Sequence, residues 1–194
     1  MSSINKKFAR IEKENKADLL TANLIKKTIK EVQDFPVKGV LFRDFTPILA
    51  DQKALKKVID SLYRVGKRFG FDTIVAPESR GFWFAIPLAL RAKASFIPCR
   101  KPNKLPRKTI KESYTLEYGV NELSVHVGDI KPGAKVLIVD DLLATGGTIK
   151  SIIKLVKRSK ATPVGVLALA ELTFLKGRKI VEQENLPLFT FVKW

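Results

Sequence analysis

Apolar positions along the chain switch between a spacing of three to four and a spacing of two. Leu20, Leu24, Ile25, Ile29 and Val32 recur at helical spacing. They predict an N-terminal helix, ended at Phe35-Pro36 because the residue before a proline is driven out of the α region. Asp51 to Phe69 predicts a second helix, with Asp51 as N-cap and Leu55, Val58, Ile59 and Leu62 as its apolar stripe. Short apolar runs at Thr73–Ala76, Ser95–Ile97, Lys135–Val139, Val164–Ala170 and Leu188–Val192 predict strands. Phe82–Ala92 and Thr148–Lys160 predict helices between them. Strands alternating with helices imply an α/β fold, a mostly parallel twisted sheet flanked by helices. Lys101 to Asp129 breaks the alternation, with a period of two around 113–117 and 123–127. It predicts a β-hairpin arm inserted in one domain over residues 1–194, not a separate unit.

Composition narrows the chemistry. The 194 residues are 45% hydrophobic, enough for a real core. No run of 18 apolar residues and no secretory pattern is visible, so a cytoplasmic protein without a membrane partner is expected. The single cysteine, Cys99, and the single histidine, His126, exclude an intramolecular disulfide and Cys- or His-rich zinc sites. Cys99 reads as a small buried filler, and His126, between Val125 and Val127, as a hairpin surface residue. Charge leaves more open. Thirty-six Lys+Arg against 19 Asp+Glu give a net +17, which fits nucleic acid, acidic phosphate substrates or a lysine-rich surface. Its densest patch runs from Arg91 to Glu112, eight basic residues against one acid.

The most informative segment is Val136 to Thr148. A buried strand ends in Asp140-Asp141, where ligands of open α/β sheets bind. Ala144-Thr145-Gly146-Gly147-Thr148 then turns into a helix. Glycines let a backbone approach a ligand closely, and free N–H groups at a helix start favour an anion. The arrangement suits a phosphate in the loop and a diol or hydrated metal on the carboxylates. No Gly-Lys-Ser/Thr follows the glycines, so nucleoside triphosphate hydrolysis is unsupported.

Val139-Asp-Asp-Leu-Leu-Ala-Thr-Gly-Gly-Thr148 resembles the phosphoribosyl-pyrophosphate (PRPP) motif of type I phosphoribosyltransferases. Phe35-Pro36-x-x-Gly39-Val40-x-Phe42-Arg43-Asp44, Glu78-Ser79-Arg80-Gly81-Phe82, Arg100-Lys101-x-x-Lys104-Leu105-Pro106, Ser113-Tyr114-x-Leu116-Glu117-Tyr118-Gly119 and Glu171-Leu172-x-x-Leu175-Lys176-Gly177-Arg178 follow in the family's order, over residues 20–192. The Phe-Arg-Asp and Leu-Glu-Tyr-Gly segments resemble its adenine-specific branch.

This resemblance implies transfer of phosphoribose from PRPP to adenine, giving AMP and pyrophosphate, by a homodimer. It places a base-binding hood in residues 1–50. Ala144, Thr145, Gly146, Gly147 and Thr148 would cradle the 5′-phosphate, and Asp140 and Asp141 the ribose hydroxyls. Ser79 and Arg80 would meet pyrophosphate, after a peptide that could be cis, with Arg100, Lys101 and Lys104 adding charge there. Phe42 would stack on adenine, the backbone of Leu41 and Arg43 would bond its edge, and Leu172 would cover its other face. Glu117, with Tyr118 beside it, is the candidate for adenine proton handling, and Arg80 is the third catalytic candidate. Mg²⁺ is the implied cofactor, held by PRPP and water without a direct protein ligand.

Some positions depart from the family pattern: Ala76-Pro77, Trp83, Ala85-Ile86-Pro87, Pro102-Asn103 and Arg107-Lys108. They bear on the shape of the pyrophosphate side and the arm's hinge. Two other functions use the same fold. One is a PRPP-sensing regulator of nucleic acid, motivated by the net charge; no helix-turn-helix segment is visible, so nucleic acid is the less favoured partner. The other is transfer to a 6-oxopurine, whose enzymes carry a third acid in the motif where Ala144 stands here.

Overall fold

The computed structural model describes residues 8–11, 13–116 and 119–194. Helix α1 (Lys16–Thr28) starts at a capping box. Asn15 Oδ1 accepts from Asp18 N at 3.0 Å, and Asp18 Oδ2 accepts from Asn15 N at 3.0 Å. Asp18 is also the electrostatic joint to the next long helix, pairing with Arg64 and with Arg68 Nη2 at 3.1 Å. The predicted helix is too long at its C-terminal end. Lys30–Val32 is instead strand β1, paired antiparallel with β2 (Phe42–Asp44). The predicted stripe is also offset: Thr21, Ala22, Ile25 and Ile29 are buried, whereas Leu20 lies on the exposed face of the helix and Val32 falls in β1. Burial stops at Ile29, so nothing holds the next residues helical against the pairing that β2 offers their backbone.

Helix α2 (Thr46–Ala50) leads to α3 (Gln52–Gly66). Asp51 caps α3 as expected, its Oδ1 accepting from Lys53 N at 2.8 Å and Ala54 N at 3.1 Å. Five parallel strands follow: β3 (Thr73–Pro77), β4 (Ser95–Cys99), β7 (Lys135–Leu143), β8 (Thr162–Glu171) and β9 (Leu188–Lys193). Their order is β4-β3-β7-β8-β9. The crossovers are α4 (Arg80–Ala92), α5 (Gly147–Arg158) and α6 (Gly177–Gln183).

Alternate residues of each strand feed two cores, as a pleated sheet covered on both faces requires. Ile74, Ala76, Leu137, Val139, Leu167 and Leu169 pack with Val58, Leu62 and Leu88 from α3 and α4. Val75, Val136, Ile138 and Val166 pack with Ile152, Leu155 and Val156 of α5. The chain leaves β3 toward β4 on one side and returns at β7 on the other. A crevice therefore opens beyond the C-terminal ends of β3 and β7.

The arm is a hairpin of β5 (Thr109–Leu116) and β6 (Gly119–His126), longer at its base than the sequence pattern indicates. Arg100 N donates to Ser124 O at 2.9 Å and Ser124 N to Arg100 O at 2.8 Å, tying β6 to the end of β4. Lys154 Nζ of α5 reaches Glu112 Oε1 at 2.8 Å, so the arm also rests on α5. His126 is not the surface residue expected. Its side chain is 10% exposed, with Nδ1 3.2 Å from Asp129 Oδ2. Its Nε2 accepts from Arg107 N at 3.3 Å. Arg107, which departs from the family pattern, folds over it and pairs with Asp129 at 2.7 Å. Among the described residues, no helix is long and apolar enough to cross a membrane.

Candidate active site

The end of β7 supplies two adjoining carboxylates. Asp141 is buried, with Oδ2 2.9 Å from Arg80 Nε. That contact is charged but not aligned as a hydrogen bond, so no donor satisfies Asp141 Oδ2 among the described residues. Asp140 Oδ1 accepts from Asp141 N at 2.9 Å. Part of Asp140 reaches the surface, but its carboxyl is crowded: a Cβ on Gly81 would lie 3.2 Å from Oδ1. A Cβ there would also meet Pro77 Cδ at 2.9 Å, so glycine is what lets the first turn of α4 approach β7.

Burial pushes the Asp140 carboxyl well above the usual aspartate range, and the neighbouring Asp141 charge adds to the effect. Burial raises Asp141 as well, against the opposing pull of Arg80. Two like charges this close resist ionising together until a cation or donor arrives.

Beyond β7, Ala144 to Thr148 form a loop over a cavity of about 70 Å³, which Asp140, Thr145, Gly146 and Thr148 help to line. Gly146 has φ 84° and caps α5. The loop is backed by α6: a Cβ on Gly177 would sit 2.1 Å from Ala144 O. The five predicted phosphate-loop residues are thus brought together with both carboxylates.

On the other side of the crevice, Ser79 and Arg80 follow β3, and the Glu78–Ser79 peptide is cis. Arg80 pairs with Asp141, not with Glu78, and its guanidinium lies 5.2 Å from the Phe42 ring centre. One arginine therefore joins the carboxylates to the hood. Glu78 is engaged by Arg100 instead, through Nε–Oε2 at 3.1 Å and Nη2–Oε1 at 3.0 Å. These bonds, with Lys101 N–H and the Lys104 charge, hold Glu78 below its usual carboxylate range. Arg100 is thus neutralised, while the Lys101 and Lys104 side chains are exposed.

In the hood, Phe42 meets Phe35 edge to face, centroids 5.0 Å apart. Leu41 and Arg43 flank it, and the Arg43 side chain turns toward Glu31, 3.3 Å from Nε to Oε1. Leu172 follows β8, its N–H donating to Leu143 O at 2.9 Å. Glu117 and Tyr118 lie outside the described residues.

Comparisons with known proteins agree with this geometry. Residues 46–192 match the phosphoribosyl transferase domain model. An adenine phosphoribosyltransferase of Kosmotoga olearia is 51% identical over 155 residues, covering 80% of this chain and 91% of that protein. The chain belongs to the adenine phosphoribosyltransferase family.

Another member of this family, from Escherichia coli O157:H7, is 45% identical over 168 residues, or 87% of this chain and 92% of its own. The crystal structure of adenine phosphoribosyltransferase from Thermoanaerobacter pseudethanolicus superposes with a TM-score of 0.86 at 44% identity, covering 89% of this chain and 99% of that one. The Saccharomyces cerevisiae adenine phosphoribosyltransferase, complexed with an imino-altritol bisphosphate and adenine, superposes at 0.82 with 36% identity, covering 89% and 98%.

Some supports of the site carry no sequence signal of their role. Glu171 is buried and held by Arg178 Nη2 at 2.8 Å and Thr190 Oγ1 at 3.1 Å. The segment containing Glu171 and Arg178 is visible in the sequence, but its pairing with Thr190 on β9 depends on sheet order. The sequence shows Gly177 only as part of that segment; the helix it opens and its close approach to Ala144 are tertiary facts.

Proposed function

We propose that the chain transfers phosphoribose from PRPP to adenine, releasing AMP and pyrophosphate, with Mg²⁺ accompanying PRPP. The observation that carries this reading is the Asp140–Asp141 pair, with Asp141 buried, between the phosphate loop and Arg80, with Phe42 on the far side of that arginine. The unsatisfied Asp141 Oδ2 fits a donor such as a ribose hydroxyl or a magnesium-bound water. Bound Mg²⁺ supplies positive charge to the leaving pyrophosphate.

The chain's own residues do the remaining work. N–H groups of Ala144 to Thr148 hold the 5′-phosphate at the start of α5. Asp140 and Asp141 orient the ribose and favour the positive charge that gathers on it as the C1–O bond breaks. Arg80, Ser79, Lys101 and Lys104 face the leaving pyrophosphate, with Arg100 oriented by Glu78 at the edge of that group. Phe42 stacks on adenine, backbone groups of Leu41 and Arg43 read its edge, and Leu172 covers its other face. Glu117 handles the adenine proton, with Tyr118 beside it, as the hairpin arm closes over the site and excludes water.

A homodimer is part of this reading, supported by the exposed Leu19, Leu20, Ile86 and Leu90 on α1 and α4. A cytoplasmic setting is supported by one buried thiol, Cys99, which burial pushes up to about 12.

The test is pyrophosphate release from PRPP and Mg²⁺ with adenine, hypoxanthine, guanine or xanthine. Adenine alone is expected to turn over, with discrimination on the order of 10⁴, because a hydrogen-bonding site leaves its own groups unpaired with the wrong base. Turnover with a 6-oxopurine and none with adenine would reassign the base. No turnover with any base, together with salt-dependent DNA binding, would favour the regulator.

A further inference from the structure

We propose that Trp194 is a positioning residue of the adenine site, clamping the hood strand that carries Phe42 to the segment that carries Leu172. This rests on the adenine reading above. Trp194 lies beyond residue 192, where the match to the family model ends. Its role is therefore read from its contacts.

Its backbone grips both neighbours of Leu172. Trp194 N donates to Glu171 O at 3.0 Å, and Trp194 O accepts from Thr173 N at 2.8 Å and from the Thr173 hydroxyl. Leu172 N in turn donates to Leu143 O at the end of β7, and the Glu171 side chain is fixed by Arg178 and Thr190. Leu172 is thereby bracketed on three sides by backbone bonds.

The indole grips the hood. The Arg43 guanidinium lies 4.8 Å from the Trp194 ring centre. The Arg43 side chain is only 10% exposed, and its Nε, 3.3 Å from Glu31, has no aligned hydrogen bond. A cation so desolvated interacts with an aromatic face more strongly than one in water. Arg43 stands next to Phe42 in β2 and directly opposite Glu31 of β1. The hood sheet has two strands of three residues each, and an isolated pair of strands that short is not stable alone. Phe45 is buried in the main core and anchors the chain just after β2. Trp194 holds the strand itself at a set distance from Leu172. Adenine would enter between the two parts so joined, whereas the phosphate loop and the carboxylates are braced by Gly177 and Arg80.

The clamp predicts a split in kinetic constants. Trp194→Ala should raise KM for adenine on the order of tenfold, the range set by one desolvated cation–π contact and the backbone order it maintains, while KM for PRPP stays within about twofold. Trp194→Phe, which keeps an aromatic face, should restore most of the adenine KM. Thr173→Val, which removes only the hydroxyl bond, should shift the same constant in the same direction and by less. A binding readout accompanies the kinetics. In the Trp83→Phe background Trp194 is the sole indole, and its emission should respond to AMP but not to ribose 5-phosphate, which lacks the base. An unchanged adenine KM in Trp194→Ala, equal increases for both substrates, or equal emission responses to AMP and ribose 5-phosphate would each overturn the clamp. If the parent chain turns over adenine normally, such results defeat the clamp alone. If the parent neither turns over adenine nor binds AMP, the functional reading falls and takes the clamp with it.

Discussion

Asp141 carries a buried carboxylate oxygen with no hydrogen-bond donor among the described residues, beside a charged arginine. Such an atom costs free energy unless a ligand supplies the donor. Asp141→Asn should therefore weaken PRPP use by about 10–100-fold, the range for losing one hydrogen bond to a charged group, and circular dichroism should show the fold intact. The same pair sets a pH dependence. The raised Asp140 carboxyl means that the folded chain holds a proton that the unfolded chain releases near the ordinary value of 3.8. Stability from this group is complete below that value and is lost as pH rises toward the raised folded one. Glu78, held low by Arg100, acts in the opposite sense: its contribution is present above the ordinary value and lost as pH falls through the folded one. The difference in Tm between Asp140→Asn and the parent isolates the first effect. It should move in favour of the variant as pH rises from about 4 to neutrality. A flat difference would mean that Asp140 titrates normally.

At the scale of elements, the loop from Ala144 to Thr148 is shaped by a helix far from it in sequence. Gly177 opens α6 with no room for a side chain against Ala144 O. Because the obstructing atom is backbone, Gly177→Ala must displace α6 or the loop, at a cost of about 1–3 kcal/mol in stability. Thermal melting should show that loss, and KM for PRPP should rise more than KM for adenine. The elements also show what periodicity can and cannot read. The strands of the main sheet are legible because buried runs of Val, Ile and Leu have few alternative uses. The hood strands Lys30–Val32 and Phe42–Asp44 are not, because they are short and lie at or near the surface. Their pairing overrides the weak helical spacing that continues through Val32. His126 shows the same limit: its neighbours on the strand suggest surface, while Arg107 and Asp129 cover it from the loops at either end of the hairpin.

For the whole molecule, the net charge of +17 is less available than it looks. In the densest patch, Arg91 pairs with Asp60, Arg100 with Glu78, Arg107 with Asp129 and Lys111 with Glu122. Lys101 and Lys104 remain exposed at the edge of the crevice, which suits a small multiply charged anion better than a long polyanion. The apolar face of α4 carries the assembly prediction. Leu90 is 77% exposed beside Pro87 and Arg91. If the proposed homodimer forms through this face, the parent should scatter as a dimer at micromolar concentration and Leu90→Asp as a monomer; a dimeric variant would place the interface elsewhere, and a monomeric parent would remove the dimer.

The sequence by itself determined the alternation of strands and helices, the hairpin arm, the Asp51 cap and the loop from Asp140 to Thr148, because each is written in contiguous residues. It also carried the family resemblance, since those motifs are local. Only the tertiary structure decided that Arg80 answers Asp141, that Arg100 answers Glu78, that Gly177 backs the Ala144–Thr148 loop and that Trp194 reaches Arg43. These partners are separated by tens to over a hundred residues, and an ion pair or ring contact forms between side chains that the order of strands brings together. Local pattern records which groups a chain possesses, whereas sheet topology decides which of them meet.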